Sequence, residues 1–264
     1  MDLRHFVIAV LLAAATSATA QSYQPYEGQP GKDVVWVPTT AALVDRMLDL
    51  AAVTPKDYVI DLGSGDGRMV IAAAKRGARA LGVEYEPDMV ALARKSAVEA
   101  GVADKATFVE GDMFEADISK ATVLALFLLP ANLNRLAPKF LELPAGTRIV
   151  TNSYRIDDWV EEQQLALERC TTWCVAYLYL VPAKLEGAWK LPKGELRFTQ
   201  QYQTLSGTLV AAGGRQTRVE GKVSGDRVRF TSGLDTYTGR VQGKRMSGEV
   251  SGASGGHWSA TRVK

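Results

Sequence analysis

Residues 58–68 read Tyr-Val-Ile-Asp-Leu-Gly-Ser-Gly-Asp-Gly-Arg, and an acidic residue, Glu84, closes the next apolar run nineteen positions after Gly65. This is the pattern of a buried strand entering a glycine turn, followed by a second strand that ends in a carboxylate. Glycines let backbone approach a ligand closely, and an acid about 20 residues further on can accept both hydroxyls of a ribose. A dinucleotide site usually carries G-x-G-x-x-G, which lets a pyrophosphate meet the helix N-terminus. Here the third glycine, Gly67, comes one residue early, and Asp61 and Asp66 flank the turn. Two acids repel a phosphate but suit a sulfonium and an amino group, so the spacing fits S-adenosylmethionine better than a dinucleotide.

A methyl transfer from a sulfonium is an in-line displacement with the leaving group already activated. The protein therefore mainly positions donor and acceptor, and it must admit a neutral nucleophile and let its proton go. In such a site Gly63, Ser64, Gly65, Asp66 and Gly67 pack the methionine part, and Asp61 faces the amino group. Glu84, with Tyr85 beside it, takes the ribose diol. Asp112 accepts from the adenine amino group, with Met113 or Phe114 against the ring, and Leu128 at Leu128-Leu-Pro130 faces the methyl. Each has a plainer reading alone. Many βα loops need a glycine, Glu84 could be a solvated strand end, and Asp112 follows Gly111 as a turn residue does. In this order and at these spacings they read together as one nucleoside site. Arg68 is expected to pack or cap its helix rather than touch ligand.

The elements that must hold these residues alternate. A helix over 41–52 is capped by Thr39 or Thr40, with Leu43, Val44, Met47, Leu48 and Ala51 on one face. Strand 58–62, helix 68–76, strand 80–84, helix 88–100, strand 107–110, the apolar strand 122–128, helix 131–143 and strand 147–153 follow. Runs 164–170 and 174–181 fit an antiparallel pair at the edge. Such βα units predict an α/β, Rossmann-like, doubly wound and mostly parallel sheet, with ligands at the carboxyl ends of its strands. From about 187 helix periodicity vanishes. Gly221-Lys-Val-Ser-Gly-Asp-Arg-Val228 matches Gly239-Arg-Val-Gln-Gly-Lys-Arg-Met246 at a period of 18, each copy centred on a tight turn. The expectation for 187–264 is a small antiparallel β-meander or partial barrel of roughly six strands.

These residues carry a family resemblance. Asp61-Leu-Gly-Ser-Gly-Asp-Gly-Arg68, Gly82-Val-Glu84, Glu110-Gly-Asp112 and the apolar fourth strand resemble class I, seven-strand, S-adenosylmethionine-dependent methyltransferases over roughly 35–182. Val37-Pro-Thr39, the glycine string and Thr147-Arg-Ile-Val-Thr-Asn-Ser-Tyr-Arg-Ile-Asp-Asp-Trp159 resemble more narrowly the protein-lysine methyltransferases that include the ATP synthase c-subunit enzyme. That resemblance implies N-methylation of a protein lysine, and it makes Trp36, Pro38 and Thr39 site candidates, since in that family the segment before the first strand covers the donor. The Asn/Asp-Pro-Pro-Tyr motif of enzymes acting on DNA bases and glutamine is replaced by Leu-Leu-Pro. No amine-gripping side chain or base is evident there. Asn132 and Tyr154 are the catalytic candidates, with Asn152 and Asp157 nearby. A small-molecule acceptor, or a non-catalytic secreted binding protein, stays open beside the lysine reading.

Composition bounds the rest. With 264 residues, 47% apolar and 23% charged, the chain is globular, with room for one large domain or two modest ones. A net charge of +2 gives no reason to expect a nucleic-acid partner, but residues 185–264 hold 13 Lys+Arg against 6 Asp+Glu, an excess that fits a boundary near 185 and leaves an acidic partner open for the β region. Its arginines have a plainer use, keeping exposed strands from aggregating. Residues 1–20 read as a signal peptide: Arg4 and His5, then Phe6–Ala15, then Ala18-Thr-Ala20 before the cut. Residues 21–34 are expected to be a flexible leader, residues 35–184 the donor-binding domain and 187–264 the β domain. The address is then periplasmic or secreted, or membrane-tethered if the leader is uncleaved, with no transmembrane helix in the mature chain. No metal site is expected, and Cys170 and Cys174 are either a cross-hairpin disulfide or two half-buried thiols.

Overall fold

The protein is described here by a computed structural model covering residues 23–263. The signal-peptide expectation for residues 1–20 lies outside the described residues. The first half of the molecule is built on β1 (Tyr58–Leu62), β2 (Arg79–Glu84), β3 (Ala106–Glu110), β4 (Val123–Leu126), β5 (Arg148–Asn152), β6 (Gln163–Ala166) and β7 (Val175–Leu180). The sheet order is β3-β2-β1-β4-β5-β7-β6. The first five strands run parallel, β7 lies antiparallel to β5, and β6 pairs antiparallel with β7. β4 is buried at all four positions, as a central parallel strand covered on both faces must be.

Four helices cover this sheet. α1 (Ala41–Leu50) starts where the Thr40 side-chain oxygen accepts the Leu43 N–H, and it buries Leu43, Val44, Met47 and Leu48. α2 (Arg68–Lys75) springs directly from Gly67. α3 (Pro87–Glu99) opens on a proline, whose missing N–H costs nothing in a first turn, and stops before Gly101. α4 (Pro130–Phe140) follows β4. Successive strand residues point to opposite faces, so Val59 joins the core under α1, α2 and α3, whereas Ile60 and Leu62 join the core under α4. At the far end of the sheet, buried Asp57 accepts from Thr54, from Thr122 and from the Arg148 guanidinium, tying β1 to β5.

Residues 187–263 form a closed barrel of eight strands, two more than the sequence suggested, and the closure is complete. The strands are β8 (Gly187–Leu191), β9 (Gly194–Gln201), β10 (Thr204–Ala211), β11 (Gln216–Ser224), β12 (Arg227–Ser232), β13 (Asp235–Gln242), β14 (Arg245–Ser251) and β15 (Gly256–Arg262), in the order β10-β11-β12-β13-β14-β15-β8-β9. The 18-residue repeat is two successive hairpins, β11–β12 and β13–β14, turning at Gly225-Asp226 and Gly243-Lys244. Side chains alternate as expected, with Val228 and Phe230 inside and Arg227 and Arg229 in solvent. Trp189, Phe198, Phe230, Tyr237 and Trp258 fill the interior.

The barrel docks on the sheet. Trp159 stacks on Tyr202 with ring centroids 5.0 Å apart, the Gln203 side-chain amide donates to the Val160 carbonyl at 2.9 Å, and the Ala183 N–H donates to the Gly225 carbonyl at 2.8 Å. The segment expected to be a flexible leader folds back over the sheet. Backbone hydrogen bonds close a turn there, with Gly28 N–H donating to Trp36 O at 2.8 Å and Trp36 N–H donating to Gln29 O at 2.9 Å.

Candidate active site

A cleft opens at the carboxyl ends of β1, β2 and β3. Its floor is Gly63, Val83, Glu84, Tyr85, Glu86, Met89, Gly111, Asp112 and Met113, and its other wall is the returning segment Gln29–Trp36. The Glu84 carboxylate accepts the Gly65 N–H at 2.8 Å through one oxygen, and the Tyr85 and Glu86 N–H groups at 2.8 and 3.0 Å through the other. Three backbone donors therefore hold it at the cleft wall with lone pairs to spare for a diol. Asp112 receives the Phe114 N–H at 2.8 Å and the Lys32 ammonium at 2.5 Å. The Lys32 hydrogen bond first, and then the Phe114 N–H, hold the Asp112 carboxyl below its usual range. Lys32 also lies 4.7 Å from the Tyr85 ring centroid. Phe114 faces away from the cleft, beneath the Arg135 guanidinium.

The glycine turn works by close approach. Gly65 has a φ of +53°, and a Cβ there would fall 2.5 Å from Trp36 Nε1, so the indole lies directly on the turn. Gly67, at φ +81°, would drive a Cβ into Phe108 and Ala93, where α2 and α3 close on the sheet. Gly63 and Ser64 donate their N–H groups to the Val83 carbonyl. The Ser64 hydroxyl is buried without a hydrogen-bond partner among the described residues, a donor available to a ligand.

A second, smaller cavity continues from Gly63 and Trp36 toward α4, lined by Val37, Pro38, Thr39, Asp61, Ser64, Asp66, Arg68, Met69 and Phe127. Burial first, then the charges of Glu84 and Asp66, push the Asp61 carboxyl well above its usual range. A cation placed here would relieve that burden. Asp66 is already neutralised, because Arg68 clamps it through Nε and Nη2, at 2.9 and 2.5 Å, and spends Nη1 on the Thr39 carbonyl at 2.7 Å. Arg68 is thus the strut that joins the glycine turn to the upstream segment. Asp61 is left as the acid of this cavity that a ligand's amino group could face.

At the ends of β4 and β5 the geometry sorts the catalytic candidates. Leu128 is buried and sits 3.4 Å from where a Gly63 Cβ would be. Asn132 lies at the start of α4, within 3.5 Å of the Asp33 carbonyl on the returning segment. Asn152 is fully buried, donating to Thr39 Oγ1 at 3.1 Å and accepting from Ser153 Oγ at 2.7 Å. Asp157 is bound to Asn134, away from the cleft. Tyr154 packs against Phe127, and both rings meet Trp173. Trp173 stands inside the loop closed by the Cys170–Cys174 bond, so the disulfide alternative is the one this structure adopts. Among the described residues no group of His, Cys, Asp and Glu is placed to hold a metal ion.

Two side chains here had no local signal. Lys32 meets Asp112 across 80 positions, and Phe127 was part of an apolar run. Trp173 did carry one: it sits between two cysteines, and a bridge across so short a loop must push the intervening side chains outward. The cavity, the diol-facing carboxylate and the unpaired Ser64 hydroxyl fit S-adenosylmethionine, whose adenosine these residues would hold toward Asp112 and whose amino group toward Asp61.

Comparison with known proteins agrees with this geometry. A family model described as the ANTKMT methyltransferase domain matches residues 61–163. A protein-lysine N-methyltransferase of Saccharolobus islandicus is 39% identical over 151 residues, covering 56% of this chain and 94% of that protein. The adenine nucleotide translocase lysine N-methyltransferase of Mus musculus is 35% identical over 128 residues, 48% of this chain and 56% of that protein. The chain thus spans about half the length of the mouse enzyme. Among solved structures, an RNA methyltransferase from Salinibacter ruber in complex with S-adenosyl-L-homocysteine is 46% identical with a TM-score of 0.53, covering 56% of this chain and 96% of that one. The chain is therefore an S-adenosylmethionine-dependent methyltransferase, and it belongs to the family that the Saccharolobus protein-lysine N-methyltransferase represents.

Proposed function

We propose that this enzyme methylates the ε-amino group of a lysine side chain in a protein. The observation that carries the reading is the extent of the archaeal likeness: almost none of that protein-lysine N-methyltransferase is left without a counterpart here. The end of β4 supports it. Leu128-Leu-Pro130 offers no side chain to grip a planar amide or a base, and an alkyl amine needs none, being a strong nucleophile once neutral. A bound donor would supply an activated methyl on sulfur; the lysine ammonium would first give a proton to water, and the neutral nitrogen would then form the C–N bond as the C–S bond broke, leaving S-adenosylhomocysteine and a methylammonium. The protein contributes position, by holding donor and amine in line, and exclusion of competing water.

The Salinibacter likeness favours a second acceptor, RNA. Incubating the protein with methyl-labelled donor and a whole-cell or envelope extract, then treating portions with protease or ribonuclease, separates the two. Label removed by protease and found on lysine after hydrolysis supports the proposal. Label removed only by ribonuclease, or confined to small molecules, overturns it.

Sequence also supports export of this catalyst. The leader pattern of residues 1–20 favours a mature chain that begins at Gln21 and works in the periplasm or outside the cell, and intact-mass measurement of protein from its native host tests it. A mass retaining the leader would replace this with a tethered form. The basic surface of the barrel favours an acidic partner in that compartment.

A further inference from the structure

Phe127 is the residue on which the inference turns. It follows β4 at the switch between β1 and β4, and it lines the cavity that also contains Asp61, Gly63 and Trp36. It also packs against two rings that do not line that cavity. Its centroid lies 6.4 Å from that of Tyr154, near parallel, and 5.5 Å from that of Trp173, tilted by 60°. Tyr154 and Trp173 close the triangle at 5.6 Å. All three residues are only partly buried, so this is not a sealed core cluster. One of them, and the residue preceding another, are held in unusual backbone. Trp173 has a φ of +56°, a left-handed conformation that bulky residues rarely adopt, and Ser153, immediately before Tyr154, has a φ of +60°. The Cys170–Cys174 bridge brackets Trp173, and the Leu167 N–H donates to the Cys174 carbonyl at 2.8 Å, so the loop has little freedom to withdraw the indole.

We propose that Phe127, Tyr154 and Trp173 are the acceptor site: an aromatic collar that receives the aliphatic stem and ammonium head of a lysine at the Phe127 end of the donor cleft, with Trp173 kept in it by the disulfide. The proposal rests on the lysine reading above and names where that side chain enters. The chemistry favours rings over acids. Aromatic faces attract an ammonium or methylammonium through their quadrupole and pack well on a four-carbon stem. A carboxylate in the same place would bind the ammonium more strongly but would raise its pKa, holding on to the proton that must leave before transfer. Three carboxylates of this region are already paired, Asp157 with Asn134, Glu161 with Arg155 and Asp66 with Arg68, and none of the three rings carries a charge of its own. The collar can therefore recognise the cation without trapping it. Trp173 and Tyr154 act on the acceptor and leave the donor cleft, which is lined by other residues, untouched.

The test uses the full chain labelled with 5-fluorotryptophan and saturated with S-adenosylhomocysteine. Trp173→Phe identifies the Trp173 signal in the fluorine spectrum. Nε-trimethyl-lysine, the cationic probe, should shift that signal in a saturable way, while norleucine, which has the stem without the charge, should shift it far less. In parallel, Trp173→Ala and the Cys170→Ser/Cys174→Ser double variant should raise the acceptor KM about tenfold, with donor Kd within about twofold of the parent, and Trp173→Phe should recover most of the loss. A Trp173 signal indifferent to trimethyl-lysine, or shifted equally by norleucine, overturns the collar. So does unchanged acceptor KM in a folded Trp173→Ala protein. If the parent protein labels no lysine at all, the lysine reading falls separately, and the fluorine titration still decides whether the collar binds an alkylammonium.

Discussion

Gly65 donates its backbone N–H to Glu84 Oε2 at 2.8 Å, so the glycine turn after β1 and the carboxylate at the end of β2 are a single hydrogen-bonded unit. Glu84→Ala removes the diol acceptor and the brace for the turn together. Donor affinity should fall by about 1.5–3 kcal/mol, the range for a charge-assisted hydrogen bond. Calorimetry with S-adenosylhomocysteine reads it, and a change below a factor of about three would show that the diol is held by other groups.

Asp61 should release a proton when the donor binds. Its carboxyl titrates well above the usual range because it is buried and faces Glu84 and Asp66, and an incoming cation favours the ionised form. Donor affinity should therefore be highest above the free-state pKa of Asp61 and fall as pH drops below it. Binding enthalpies measured in buffers of different ionisation heat should give a positive count of protons released. Asp61→Asn should abolish both that count and the pH dependence.

Asp57 makes the opposite prediction for stability. Burial acts to raise its carboxyl, but the Thr122 and Thr54 hydrogen bonds and the Arg148 charge outweigh it and leave the pKa below the usual value. A depressed folded pKa stabilises the fold above the unfolded value near 4, and that contribution is lost as pH falls through the folded pKa. Asp57→Asn should cost about 2–4 kcal/mol at neutral pH, because it leaves the Arg148 guanidinium without its charge partner, and should flatten the acid limb of the stability curve. Urea unfolding at pH 7 and pH 3 is the measurement.

Donor binding should not need the barrel. The cleft wall runs from Gln29 to Met113, and the adjoining cavity ends at Phe127. A chain ending at residue 184 should bind S-adenosylhomocysteine within about threefold of the full protein, while exposing Trp159, which is 2% accessible when stacked on Tyr202. A truncated protein that is folded by circular dichroism yet binds no donor would refute this division of labour.

How much of this was readable in advance depended on range along the chain. β1 appeared at its expected bounds, Tyr58–Leu62, because a central parallel strand is a continuous apolar run that glycine and acid punctuate at once. The candidate donor residues could be picked out for the same reason: Asp61 and Glu84 lie at the carboxyl ends of β1 and β2, Gly63 directly follows β1, and Asp112 lies two positions past β3. The barrel was undercounted. Its turns at Gly225 and Gly243 announce themselves, but β9 and β10 are joined by Tyr202-Gln203, with Tyr202 at φ +48° and no glycine to mark the reversal. Closure depends on Thr261 meeting Lys190 and Arg262 meeting Trp189, which no local pattern encodes. Lys32 was invisible likewise, since its meaning is a partner 80 residues away.

That closure is also the barrel's thinnest joint. Neighbouring strands elsewhere pair over five to eight residues, whereas β15 and β8 share only two registered pairs. Arg262 reinforces the joint as a latch, donating to the Lys184 and Glu186 carbonyls and resting over the Trp189 ring. A cylinder zipped along every line but one breathes along that line. Amide exchange should run fastest at the β15–β8 seam, and Arg262→Ala should turn the cylinder into an open, curling ribbon with two raw edges, the form in which such a sheet recruits a strand from a neighbour.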